Sequence, residues 1–97
     1  MSFKAWIRSI ETNVPEIWQD YTFQISLQGL NRRGGSCLPE MKEPPRNLDD
    51  IARGFIHVVD HVRRKYAGYR YAHLRKDVNA VVRALGPLVE AKHKVKV

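Results

Sequence analysis

Two imidazoles and a carboxylate fall within five residues in "HVVDH", His57 to His61. On a helix, a four-residue spacing sets both rings on one face, near enough to share a zinc ion, with Asp60 beside them. A zinc hydrolase of HxxEH type needs glutamate as general base at that position, and aspartate reaches one methylene less far. Spacing marks no third ligand, because His73 and His93 could join only through tertiary structure. Two surface histidines titrating near neutrality are therefore expected, with no metal site and no metal-dependent hydrolysis. Cys37 is the single cysteine. Arg32 and Arg33 upstream favour its thiolate, yet no histidine is designated as its base. Asp49 and Asp50 have a capping role at hand, and the Gly34–Gly35 pair lacks the GxxxxGK[ST] spacing of a phosphate loop. The chain reads as noncatalytic and free of cofactors.

The stronger signal is electrostatic. "HVRRKYAGYRYAHLRKD", His61 to Asp77, holds six Lys or Arg and three Tyr around one Gly. The formal charge of +7 is uneven: residues 1–30 carry −1, residues 31–47 carry +2, and the remainder carries +6. Such asymmetry points to an anionic partner, nucleic acid before membrane surface or acidic protein. Arg63, Arg64, Lys65, Arg70, Arg75, Lys76 and Arg83 are the expected phosphate contacts, with no base-specific reading implied. Tyr69, at the turn, is the aromatic placed to touch a base, whereas Tyr66 and Tyr71 continue apolar stripes and read as packing residues. Helix dipoles offer a competing account, since Lys and Arg favour helix C-termini. That explains Arg63, Arg64 and Lys65, but not Arg75 and Lys76 near the start of the next helix.

These residues need helices to position them. Phe3, Trp6, Ile7 and Ile10 repeat at helical spacing, Ser2 can cap them, and Pro15 ends this element or opens the next. Segment 15–30 is ambiguous: Ile17, Trp18, Tyr21 and Ile25 form a helical stripe, while Tyr21, Phe23, Ile25 and Leu27 alternate with polar residues as in a short strand at 21–28. A strand would need the C-terminal "KHKVKV" or another protomer as partner, so helix is preferred. Residues 31–47 carry two Gly and three Pro and read as a long loop. Asn47 caps a helix starting at Leu48, with Ile51, Phe55, Val58, Val59, Val62 and Tyr66 on its apolar face and Gly68 in the left-handed closing position. The next helix places Leu74, Val78, Val81, Val82 and Leu85 on one side and stops at Gly86–Pro87. A last short helix to about Ala91 and a frayed basic tail at 92–97 follow.

The expected fold is thus mainly α: a single-domain small helical bundle over residues 1–97, with a basic helical hairpin. The lone cysteine and the lack of an apolar leader or spanning segment lead to an expectation of cytoplasmic location without membrane insertion. The leading function is a small accessory protein binding DNA or RNA without sequence preference. The alternative is a noncatalytic adaptor or homo-oligomer subunit, meeting protein through the Pro-rich loop and Trp18, Tyr21, Phe23, Ile25 and Leu27.

Overall fold

Helix α1, Phe3–Asn13, begins at the Ser2 cap, whose hydroxyl accepts the Ala5 amide at 3.2 Å, and buries Phe3, Trp6, Ile7 and Ile10. Pro15 then opens the single turn of α2, Pro15–Trp18. The computed structural model describes the backbone of residues 1–96 and the side chains as far as Lys92. Among them the chain is helical and contains no strand.

Residues 21–28 are helical, as part of α3, Tyr21–Gly34. The Asp20 carboxylate accepts the Phe23 amide at 2.8 Å and so caps this helix. Its buried residues are Phe23, Leu27, Leu30 and Gly34. These recur at intervals of four, three and four, which defeats the alternating pattern: Tyr21 and Ile25 turn to solvent while Phe23 and Leu27 turn inward. A lone strand here would leave its backbone groups unpaired, and helix satisfies them internally. The expected stripe through Tyr21 and Ile25 was therefore on the wrong face.

The loop is shorter than 31–47. Helix α3 reaches Gly34, Gly35 takes a φ of +50° that suits glycine, and a 3-10 turn spans Gly35–Cys37. Residues 38–47 follow an ordered path along α1. Met1 and Met41 exchange backbone hydrogen bonds, with the Met41 amide donating at 2.8 Å and the Met1 ammonium at 2.6 Å. Asn13 Nδ2 donates to the Pro45 carbonyl at 3.1 Å, and Pro39, Met41 and Pro45 are buried.

Helix α4, Leu48–Lys65, starts where expected: Asn47 Oδ1 accepts the Asp50 amide at 2.9 Å. Its closure differs. Gly68 has φ −67° and ψ 160°, an extended rather than left-handed conformation. A 3-10 turn, Tyr69–Tyr71, then leads into α5, Ala72–Lys96.

Helix α5 runs through Gly86 and Pro87 instead of stopping there, and its backbone continues through the expected tail as far as Lys96. The missing Pro87 amide leaves the Arg83 carbonyl without its helical donor, and an interior proline costs about 3 kcal/mol. Arg83 is exposed, so water can reach that carbonyl, while Leu85 is buried and Leu88 and Val89 pack on the core beyond the proline. Fully burying such a side chain stabilises by about 1.5–3 kcal/mol, so the partial burial of Leu88 and Val89 together offsets the break. Val82 departs from the expected apolar face and is 40% exposed.

The ends of the helices give the topology. Arg33, closing α3, reaches Asp77 near the start of α5, so these two helices run antiparallel. Helix α4 is antiparallel to α5 as well: Arg75 meets Tyr66 at one end and Lys92 meets Asp49 at 3.4 Å at the other. Helices α3 and α4 are consequently parallel, and the chain must return the length of the bundle between them. Ten extended residues span up to about 33–36 Å, enough to pass a 14-residue helix of about 21 Å. The result is a four-helix arrangement with one long crossover, α2 forming a corner. No helix among the described residues is long and apolar enough to cross a membrane.

An aromatic cluster joins α1, α3 and α4. The Phe55 ring takes Trp6 edge-on at 5.6 Å and Phe23 at 6.3 Å, and Phe3 stacks on Trp6 at 6.0 Å. Gly54 permits this approach, because a Cβ there would enter the Trp6 indole. Gly54→Ala should accordingly destabilise by about 1–3 kcal/mol through overpacking, despite the ~1 kcal/mol that alanine gains in helix propensity. Gly86→Ala, whose Cβ would meet nothing within 4 Å, should instead stabilise by up to ~1 kcal/mol. Urea unfolding of the two variants checks both signs.

Candidate nucleic-acid interface

Parallel α3 and α4 end together, and α5 begins where they end. The last turn of α3 carries Arg32 and Arg33, and that of α4 carries Arg63, Arg64 and Lys65. Arg70 lies in the connecting turn, and Arg75 and Lys76 occupy the first turns of α5. Eight cationic side chains, seven from three helices and one from the connecting turn, thus gather at one end of the bundle, where Asp60 and Asp77 supply carboxylates. Glu16, Asp20, Asp49 and Asp50 lie at the other end. Both helix C-termini at the basic end present negative dipole ends, which offsets part of the mutual repulsion.

Arg32 and Arg33 were missed as members of this cluster because they read as loop residues. The signal was their place in the last turn of a helix, hidden by the misread boundary of α3. Arg33 spans to Asp77 with two parallel bonds, Nε to Oδ2 and one terminal nitrogen to Oδ1, each 2.8 Å. This fork pins the α3 tip to α5. Arg32 is exposed and borders the same α3–α5 groove.

Of the residues expected to contact phosphate, Arg75 has another task. One nitrogen of its guanidinium donates to the Tyr66 carbonyl at 2.6 Å and the Gly68 carbonyl at 2.8 Å, the latter also accepting the Tyr71 amide at 3.0 Å, and so holds the residues that follow α4 to the start of α5. It is half-buried in this clamp. Arg64 pairs with Asp60 at 3.3 Å, one helical turn away and largely exposed. Such a pair contributes little and exchanges readily. Arg63 borders the groove between α4 and α5. Lys65, Arg70, Lys76 and Arg83 are exposed and have no carboxylate partner among the described residues. Lys76 and Arg83, seven residues apart, share one face of α5 about 10.5 Å apart along its axis.

The tyrosines divide as their spacing implied. Tyr66 and Tyr71 pack edge to face at 4.8 Å, and the Arg70 guanidinium sits 5.9 Å from the Tyr71 ring centre. Tyr69 is 95% exposed beside Arg70. The expected protein-contact set splits apart: Phe23 and Leu27 are wholly buried and Trp18 packs partly on the core, so these three are withdrawn from any single outward face. Tyr21 remains 73% exposed and Ile25 48%.

His57 and His61 lie on one side of α4 with ring centres 6.4 Å apart, and His61 leans toward Tyr66 at 6.1 Å. No cluster of three potential metal ligands occurs among the described residues, and the His93 side chain lies outside them. Cys37 closes the 3-10 turn after α3 near His61 and Tyr66. Burial, aided by the charges of Lys65 and His57, holds the His61 imidazole below the ordinary histidine value.

Two outcomes follow from this geometry. Arg75→Ala should lower stability by about 1–3 kcal/mol in urea unfolding by removing the donor to the Tyr66 carbonyl, while the Gly68 carbonyl keeps the Tyr71 amide, and Arg75→Lys should recover part of the loss, because both bonds leave a single nitrogen. For His61 the folded protein binds its proton less tightly than the unfolded chain does. Stability is therefore fully present above the unfolded value near 6.5 and falls as pH drops from there toward the lower folded value. Unfolding midpoints followed from pH 7.5 down to about 5 should decline in the wild type, and His61→Gln should flatten that part of the decline.

Comparison of the chain with protein-family models, with curated proteins and with solved structures gave no match, so its functional reading rests on the geometry of this basic end.

Proposed function

We propose that this protein is a small noncatalytic, cytoplasmic accessory protein that binds DNA or RNA by its phosphate backbone, without reading sequence. The observation that carries the reading is the convergence of cationic side chains from α3, α4 and α5 on one end of the bundle. Arg32, Arg64, Lys65, Arg70, Lys76 and Arg83 are the phosphate contacts. Arg75 builds the surface by capping α4, and Arg33 does so by holding α3 to α5. Tyr69 stands among the cations as a ring on which an unpaired base can stack.

Dipole compensation accounts for cations at the ends of α3 and α4. It does not account for Arg70 or for Lys76, which stands near the N-terminus of α5, where positive charge is mildly unfavourable. Retaining unpaired cations there is economical if an external anion neutralises them. The surface is built from helix ends and side chains of varied reach, with no helix positioned as a lone reader of a groove, which favours backbone contact over base recognition. An adaptor contacting protein through segment 15–30 has less support, because only Tyr21 and Ile25 of its proposed contacts stay exposed.

Fluorescence anisotropy with unrelated duplex DNA and single-stranded RNA over a salt series tests the proposal. Each neutralised phosphate contributes about −0.9 to the slope of log affinity against log salt for duplex DNA, so these six contacts give a slope of about −5.4. Replacing Lys65, Arg70 and Lys76 together by Gln should weaken binding and make the slope shallower by about 2.7. Arg8, Arg46 and Lys92 replaced by Gln removes the same formal charge elsewhere and should leave the slope nearly unchanged. Wild-type protein that shows no salt-sensitive binding at low ionic strength, or equal losses in the two triple variants, overturns the reading.

A further inference from the structure

Helix α4 has a further side, turned away from the core, that meets the basic end only at Arg63. Between it and α5 runs a groove of about 610 Å³, floored by apolar side chains and rimmed by Asp60, Arg63 and Glu90. Ile56 stands in it 68% exposed and Val82 40%, with Val59 and Val89 half-buried beneath. Gly86 lines the opposite wall, and nothing lies within 4 Å of where its Cβ would be. The groove is thus left open at its centre by the absence of a side chain.

The charges along this side of α4 have an order that selects an occupant. At ~100° per residue, Asp49, Arg53, Asp60 and Arg63 all lie within about 60° of Ile56. In sequence they read negative, positive, Ile56, negative, positive. A two-fold axis perpendicular to α4 and passing beside it at the level of Ile56 turns this order into its opposite at every position. A second copy running antiparallel sets Asp49 against Arg63 and Arg53 against Asp60, on both sides of an Ile56–Ile56 contact. Asp49 and Arg63 are each seven residues from Ile56, about 10.5 Å along the helix, so the register matches without a shift. A parallel copy would place like charges together. The present partners of these groups, Lys92 for Asp49, Asp50 for Arg53 and Arg64 for Asp60, form exposed pairs that exchange at little cost.

We propose that the α4–α5 groove is the contact face of a symmetric homodimer, with Ile56 seated near Gly86 and Val82 and with reciprocal Asp49–Arg63 and Arg53–Asp60 pairs at its rim. This is the self-complementary pattern of a two-fold interface, an apolar centre within a charged border. The dimer forms without nucleic acid and stands independently of the phosphate-binding proposal. Because the two copies of α4 run in opposite directions, it carries the two basic ends to opposite poles.

Sedimentation velocity in nucleic-acid-free buffer, from about 1 to 300 µM so as to span micromolar association, should show the mass rising to twice 11.3 kDa. Gly86→Leu has room within its own chain and fills the groove, so it should remain monomeric with an unfolding midpoint no lower than that of the monomeric wild type. Ile56→Glu should also remain monomeric. Arg53→Glu and Asp60→Arg should each weaken self-association by at least about tenfold, since each creates two like-charge contacts. An equimolar mixture of these last two variants should form a heterodimer. The carboxylate introduced by Arg53→Glu in one chain then meets the guanidinium introduced by Asp60→Arg in the other, while the unaltered Arg53 and Asp60 pair at the second contact. A wild-type protein still monomeric at the top concentration overturns the proposal, as does a dimer unaffected by Gly86→Leu and Ile56→Glu, or a mixture that fails to associate.

Discussion

Helix α5 packs one side against α3 and another against α4, each in the antiparallel sense, and that double engagement sets the rest of the architecture. Leu74, Val78, Val81 and Leu85 are its buried anchors. Two helices antiparallel to a third are parallel to one another, so no tight turn can join α3 to α4. The crossover of residues 38–47 follows from this, and its attachment to α1 through Met1–Met41 and Asn13–Pro45 replaces the regular hydrogen bonds it lacks. The same topology carries the C-termini of α3 and α4 to the place where α5 starts.

That coincidence of helix ends has an electrostatic consequence. Two negative dipole ends attract cations, and the chain supplies them in the last turns of α3 and α4. The cations then do different things according to reach and neighbours. Arg33 ties two helices together through Asp77, and Arg75 holds the residues after α4 by donating to the Tyr66 and Gly68 carbonyls. Lys65, Arg70 and Lys76 are left facing water. An arginine that ties helices together and one left facing water can thus be neighbours in sequence, as Arg33 and Arg32 are, and only their hydrogen bonds separate them.

Helix α4 divides its circumference among several tasks. Ile51, Phe55, Val58 and Val62 face the core, where Gly54 lets the Trp6 indole come close. His57 and His61 lie together on one side, with His61 drawn toward Tyr66. Ile56 and its flanking charges occupy a further strip over the α5 groove. A single amphipathic stripe accounts for the first of these alone.

The helical class, the Asn47 cap and start of α4, the inward face of α1 and the exposure of Tyr69 were legible from local pattern, because capping, periodicity and turn placement act over a few residues. The face of α3 was not. Tyr21, Phe23, Ile25 and Leu27 suit either period, and the choice depended on whether a partner strand existed and on the Asp20 cap. Gly86–Pro87 reads as a stop, yet α5 continues because Leu88 and Val89 find a core to pack on. Arg75 looked equivalent to Lys76, and only its hydrogen bonds to the Tyr66 and Gly68 carbonyls distinguished them. Sequence by itself determined that this chain forms helices and that positive charge concentrates in its second half. Tertiary structure alone decided that Arg32 and Arg33 join that charge, because helix direction depends on contacts between segments more than forty residues apart, which no local propensity encodes.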